Sequence, residues 1–328
     1  MTPKQLKSLL VKTMRAKLPV LVKGAPGIGK SDVIAQVAEK LKMDMVLFHP
    51  VVCDPTDFKG LPGIVNGKAS FLPFGDLKSL INATKPTIAF LDDLGQAPAV
   101  VQAAAMQLIL ARQVNGHKIS DEVVFIAATN RKEDRAGVTG LLSPVKSRFA
   151  AIVELDASLD DWIEWAFEND MPSELIGFTH FRPELFNSAE ATPDIVNGPC
   201  PRTIAFAGKL INAGITNTEA LAGAVGEGYA IELAGFIKMY KALPSIAGIL
   251  KNPKKAEVPT ESNVIYATVS ALVGKANDDT IGAIYKYGQR LSGDFLTLLM
   301  KDMIRKDADL QETDAFIDWA TKNPDILM

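Results

Sequence analysis

The stretch that most constrains this chain is Gly24-Ala25-Pro26-Gly27-Ile28-Gly29-Lys30-Ser31, which closely follows the apolar run Leu18-Pro19-Val20-Leu21-Val22. It fits G-x-x-x-x-G-K-[ST], the pattern of a phosphate-binding loop. Glycines in such a loop let backbone N–H groups converge on a polyphosphate, and the helix that begins near Lys30 aims its partial positive charge at the same anion. Lys30 is expected to reach the β- and γ-phosphates of a nucleotide, and Ser31 to ligate Mg²⁺. The plain alternative is a glycine-rich turn between a strand and a helix. The flanks favour the loop: a buried-type strand precedes it, and Ser31 to Leu41 carries Val33, Ile34, Val37 and Leu41 on one helical face.

Composition narrows the function classes. The 328 residues allow one large or two modest domains, and 48% apolar with 22% charged residues is the balance of an ordinary globular protein. Thirty-five basic against thirty-eight acidic residues, net charge -3, give no overall electrostatic footprint for nucleic acid. Cys53 and Cys200 form neither a C-x-x-C pair nor a ligand cluster, which suits isolated thiols in a reducing compartment. No segment approaches the apolar length of a membrane span, and the N-terminus lacks a signal peptide's apolar block, so a cytoplasmic protein is expected.

In chain order, Pro3 to Lys17 reads as a helix, Met45 to Phe48 as a strand, and Asp54-Pro55-Thr56-Asp57 as a turn-rich stretch. Asn66-Gly67 lies between short apolar runs from Leu61 to Phe71, a strong hairpin signal, and Asn115-Gly116 is a second. Asp76 to Ala83 is a helix candidate. Thr87 to Leu91 is a continuous apolar strand ending in Asp92-Asp93. Ligands of α/β sheets gather outside the carboxyl ends of the strands, so Asp92 is the expected Mg²⁺ partner and Asp93 can orient or deprotonate an attacking water. Alternatively, both aspartates cap the following helix, Pro98 to Arg112. Another buried strand, Val123 to Ala128, ends in Thr129-Asn130-Arg131, and Asn130 can hold the attacking water. After Gly137 to Gly140, Leu141 to Phe149 reads as a short helix bearing Arg148, followed by the strand Ala151 to Leu155.

Beyond Leu155 the strand and helix alternation stops. Helices are expected at Leu159 to Phe167, Pro201 to Ala213, Thr218 to Tyr240, Ser262 to Lys275, Asp278 to Leu291, Asp294 to Arg305 and Glu312 to Thr321. The tryptophans and methionines here read as packing residues, and His180 and His117 as neither ligands nor catalysts. Arg202 reads as an ordinary surface cation as readily as a functional one. The expected organisation is an α/β core over 1–156, with hairpins near 61–73 and 112–120, followed by a helical domain over 157–328.

These residues jointly resemble the AAA+ ATPases, and within them the MoxR-like group encoded beside a von Willebrand factor A-type partner. In the core the resemblance covers GAPGIGKS, FLDDLGQAPAVVQAAAMQLIL, AATNRKEDRAG and LLSPVKSRF; in the remainder it covers WIEWA, FRPELF, PRTIAFAGKL, GAVGEGYAIELAGFI and DAFIDWA. Gly24 to Ser31 looks like Walker A, Asp92 and Asp93 like the Walker B pair, and Asn130 like sensor 1. Arg148 resembles the arginine finger and Arg202 the sensor 2 arginine; the hairpins at Asn66 and Asn115 look like the helix 2 insert and the pre-sensor 1 hairpin. The usual second Walker B carboxylate is Glu, and Asp93 is one methylene shorter.

The resemblance implies a five-stranded parallel P-loop core with a helical lid, closing into a ring of usually six identical subunits. It implies ATP and Mg²⁺ as the cofactors and hydrolysis that remodels a partner protein. A nucleotide-gated scaffold with little turnover and a DNA-remodelling motor are the alternatives.

Overall fold

The computed structural model describes residues 1–134, 140–190, 192 and 194–324. They fall into two compact units, Met1–Ser158 and Leu159–Met328.

The first unit is built on one parallel sheet. Its elements are α1 (Pro3–Arg15), β1 (Val20–Lys23), α2 (Lys30–Lys40), β2 (Asp44–Phe48), α3 (Pro55–Lys59), β3 (Leu61–Val65), β4 (Lys68–Leu72), α4 (Gly75–Ile81) and β5 (Thr87–Leu91). There follow α5 (Ala99–Ala111), β6 (Gln113–Val114), β7 (His117–Lys118), β8 (Val123–Thr129), α6 (Ser143–Lys146) and β9 (Ala151–Glu154). The sheet is five-stranded with every pair parallel, as the resemblance implies, and its strands run in the order β2-β5-β8-β1-β9. Burial of the three inner strands β1, β5 and β8 on both faces explains their continuous apolar runs. Successive strand residues point to opposite faces. Ile88 and Phe90 of β5 therefore join Leu6, Leu10, Ile34 and Val37 under α1 and α2, while Ala89 and Leu91 join Val101, Leu108 and Ile109 under α5.

Register fixes what the carboxyl edge presents. Lys23 lies beside Thr129, and Leu91 beside Ala127. The residues just past the ends of β1, β5 and β8 are thus Gly24, Asp92 and Asn130, neighbours in space though far apart in sequence.

Both expected hairpins form, β3 with β4 and β6 with β7. The second hairpin is braced against α3 and the first hairpin: Asn115 Nδ2 donates to the Lys59 carbonyl at 2.9 Å, and His117 Nε2 meets the Phe71 carbonyl at 3.0 Å. A carbonyl only accepts, so that nitrogen carries the proton, and His117 braces the two hairpins. Ile64, Phe71 and Leu72 remain exposed on the first hairpin.

Several expectations are corrected. The stretch at Asp54 is helical: Asp54 accepts from Thr56 N–H, Asp57 accepts from Asp54 N–H, and Pro55 pre-sets the first turn of α3. Neither Asp92 nor Asp93 caps α5, whose N-cap is Pro98, because a 3₁₀ turn, Leu94–Gln96, intervenes. Arg148 lies beyond the end of α6, in the turn leading to β9.

The second unit is helical: α7 (Leu159–Glu168), α8 (Ser173–Phe181), α9 (Pro201–Asn212), α10 (Thr218–Val225), α11 (Glu227–Lys241), α12 (Ile246–Lys251), α13 (Ser262–Gly274), α14 (Ile281–Gly288), α15 (Gly293–Lys306) and α16 (Asp314–Lys322). The long helix expected from Thr218 is two helices. Gly226 at φ 84° ends the first, and a Cβ there would lie 2.9 Å from the Asn197 carbonyl. Trp319, Tyr287, Leu299, Met300 and Met303 fill the core of the later helices. His180 meets the buried Asp302 carboxylate at 2.7 Å, and Arg305 bridges Asp302 to Asp160. No group of three His, Cys, Asp or Glu side chains gathers as a metal set among the described residues. None of the described helices is long and apolar enough to cross a membrane.

Candidate active site

The turn from Gly24 to Ser31 is shaped by close approach. Gly24 N–H donates to the Thr129 carbonyl at 3.2 Å, tying the loop to the end of β8. A Cβ on Gly24 would sit 2.6 Å from Ile28 Cδ1 and 2.7 Å from the Leu155 carbonyl oxygen, so only glycine fits without displacement. The loop ends at Gly29, the N-cap of α2, which supplies no side-chain cap. The first N–H groups of a helix have no partner within it, so the start of α2 offers its donors and its dipole to an anion.

Lys30 is buried, and its ammonium donates to the carbonyls of Gly24 and Ala25, both at 2.9 Å, and to Asn130 Oδ1 at 2.7 Å. Asn130 also donates through Nδ2 to Asp93 Oδ1 at 3.4 Å, so it bridges the loop lysine to the second aspartate. Ser31 Oγ donates to Asp92 Oδ2 at 2.7 Å. Asp92 is itself held by the turn: its N–H donates to the Phe48 carbonyl, and its Oδ1 accepts from Asp93 N–H at 3.0 Å. A hydroxyl and a carboxylate at hydrogen-bond distance are hard oxygen donors. They suit Mg²⁺, which takes one or two protein oxygens together with phosphates and waters.

Lys30, Ser31, Asp92, Asp93 and Asn130 are thus brought together from three strand ends. Arg148 is not joined to them. It is half-buried, and among the described residues its guanidinium makes one contact, a long 3.5 Å approach to Ser147 Oγ. Arg202 belongs to the second unit, exposed in the first turn of α9 behind Pro201, whose carbonyl accepts from Trp162 Nε1. Residues 135–139, within the stretch matched to AATNRKEDRAG and the expected turn from Gly137 to Gly140, lie outside the described residues.

The roles of three residues of this region escaped the sequence reading. Gln96 Nε2 donates to Asp93 Oδ1 at 2.8 Å; the signal available was a glutamine three positions beyond Asp93. Gln102 is buried and clasps the segment after the loop at 140; the signal was a lone amide in the core stripe of α5. Arg131 donates to Asp134 at 2.8 Å and to Glu154 at 3.3 Å, joining the ends of β8 and β9. Burial opposes ionisation of Asp134, but the hydrogen bonds and charge of Arg131, with a smaller contribution from Lys30, hold its carboxyl below the usual carboxylate range.

Residues 19–149 match the family model described as AAA domain (dynein-related subfamily). The first unit carries an AAA domain. Its match spans the phosphate loop, both aspartates, Asn130 and Arg148. No curated protein matches the chain. Among solved structures the chain is similar to the RuvB Holliday junction branch migration motor of Thermotoga maritima, at 16% identity over 82% of this chain and 80% of that one with TM-score 0.43. It is also similar to NtrX from Brucella abortus in complex with ATP, at 11% identity over 99% of this chain and 68% of that one with TM-score 0.38.

Proposed function

We propose that the AAA domain binds Mg²⁺ and ATP and hydrolyses the nucleotide, and that the chain works as a ring-forming ATPase that remodels a partner protein. One observation supports this most: Asn130 joins the loop lysine to the Asp93 carboxylate, while Ser31 and Asp92 pair beside them. Lys30 exchanges its bonds to the Gly24 and Ala25 carbonyls for β- and γ-phosphate oxygens, and the start of α2 supplies further donors. Ser31 and Asp92 would hold the Mg²⁺, which would supply positive charge to offset the negative charge of the phosphates. Asp93 Oδ2 accepts a water's proton as that water's oxygen bonds to the γ-phosphorus. The β–γ bridging oxygen departs on ADP with the electron pair of the broken bond.

Arg148 is proposed to serve the site of a neighbouring subunit, and the reading of Arg202 as the sensor 2 arginine rests on the sequence resemblance alone. A von Willebrand factor A-type client rests on the sequence resemblance alone. The test is steady-state ATP hydrolysis against an Asp92→Asn control, with Lys30→Ala binding followed by calorimetry. Turnover well above the control, with binding lost in Lys30→Ala, is expected. Turnover no greater than the control sinks the ATPase reading and leaves a nucleotide-gated scaffold; undiminished binding in Lys30→Ala removes the phosphate loop from the argument.

A further inference from the structure

Asp93 stands where the chain leaves β5, and it is held in the left-handed region at φ 55°, ψ 33°. Short polar residues visit that conformation most readily, because their side chains bond locally. Here the local bond closes over three residues: Gln96 N–H donates to the Asp93 carbonyl at 3.0 Å, and Gln96 Nε2 donates to Asp93 Oδ1 at 2.8 Å. Asn130 Nδ2 approaches the same oxygen at 3.4 Å from the neighbouring strand end. One carboxylate oxygen thus faces amide donors on both sides.

The other end of the Gln96 amide shows what decides its orientation. Oε1 is buried with no hydrogen-bond partner among the described residues. A buried acceptor left unmade costs more than an ordinary neutral hydrogen bond gains, so the amide gives up its own acceptor only for a stronger bond from its donor to the carboxylate. Donors to an ionised carboxylate are among the stronger hydrogen bonds, which is the imbalance required.

We propose that Gln96 is the positioning residue of hydrolysis: by holding Oδ1, with Asn130 on its other side, it fixes the shorter Asp93 side chain so that Oδ2 takes the proton of the attacking water. This deepens the ATPase reading and rests on it.

The test is a double-mutant cycle on kcat with Gln96→Met and Asp93→Asn, with nucleotide affinity measured in parallel. Gln96→Met removes the donor at similar volume. Loss of a hydrogen bond to a charged group corresponds to a decrease of roughly ten- to hundredfold in kcat, with KM and nucleotide affinity held within about twofold. Because Gln96 acts through Asp93, Gln96→Met should cost nothing further in the Asp93→Asn background. An unchanged kcat in Gln96→Met overturns the proposal, and so does an equal loss in both backgrounds, which marks a purely structural role.

A second readout is independent of turnover. The Gln96 side-chain amide protons, followed by NMR, should move upfield in Asp93→Leu as the charged acceptor is lost. If the parent shows no turnover, the ATPase reading fails, and the NMR shift still decides whether Gln96 holds Asp93; resonances that do not move overturn the assignment.

Discussion

Replacing Gln102 by leucine tests how the segment leading to Arg148 is held. Gln102 is 1% exposed, and its amide donates to the carbonyls of Ala97 and Gly140, both at 3.1 Å, while its Oε1 accepts from Leu142 N–H at 3.0 Å. Leucine has nearly the same volume, so packing changes little and the three bonds are what is removed. A neutral bond contributes about 1 kcal/mol net, and a buried partner left unmade costs about 1–3 kcal/mol. Gly140 and Leu142 are only half-buried, so water recovers part of that, and the leucine regains some apolar transfer energy. The net loss is about 2–4 kcal/mol, or a fall of roughly 5–15 °C in the melting temperature of a unit this size. The assay must look at the right unit. Trp162, Trp165 and Trp319 all belong to the second unit, so tryptophan fluorescence does not report on the first. Amide hydrogen exchange does, and Leu142 N–H should exchange at least fivefold faster in Gln102→Leu, corresponding to about 1 kcal/mol of local protection. Unchanged exchange at Leu142, or a melting shift under a degree, would falsify the clasp.

Gly24→Ala should lower nucleotide affinity by more than tenfold and destabilise the first unit by about 1–3 kcal/mol. Ile28 Cδ1 can swing away from the added methyl, but the Leu155 carbonyl oxygen is backbone, and calorimetry at the parent's affinity would show that the loop yields. Arg148→Ala should bind ATP yet hydrolyse it poorly, and mixing it with Lys30→Ala should restore partial activity at interfaces that hold both intact groups. Activity that stays at the sum of the two mutants over a range of mixing ratios, with co-assembly verified by native mass spectrometry, would place Arg148 in its own subunit's site.

What was legible in the sequence follows the range of the interactions involved. The phosphate loop is a local device whose glycine spacing is its mechanism, so Gly24 to Ser31 could be read at once. The buried strands were equally plain, since β5 and β8 are apolar throughout and end in polar residues. The five-stranded parallel sheet was implied by the resemblance, but the order β2-β5-β8-β1-β9 was not written in periodicity and only the structure supplies it, because pairing depends on residues far apart in sequence. Gln96 and Gln102 were invisible for the same reason, as each is defined by acceptors that only the fold supplies. The break at Gly226 was missed because apolar spacing continues across it, while the constraint is the nearby Asn197 carbonyl. Arg148 was placed on a helix that ends at Lys146, where Ser147 Oγ bonds back to the Pro144 carbonyl.

The strand order also sets a timetable for synthesis. β1 pairs only with β8 and β9, so the strand that launches the phosphate loop has no sheet partner until Val123 and the residues after it have been made. β2 and β5 can pair with each other sooner. At roughly 5–20 residues per second, β1 waits on the order of 5–20 s with both edges open to other chains. A nascent chain halted before β8 therefore carries every residue from Gly24 to Ser31 and both aspartates, yet lacks the strand that brings Lys30 and Asp93 together.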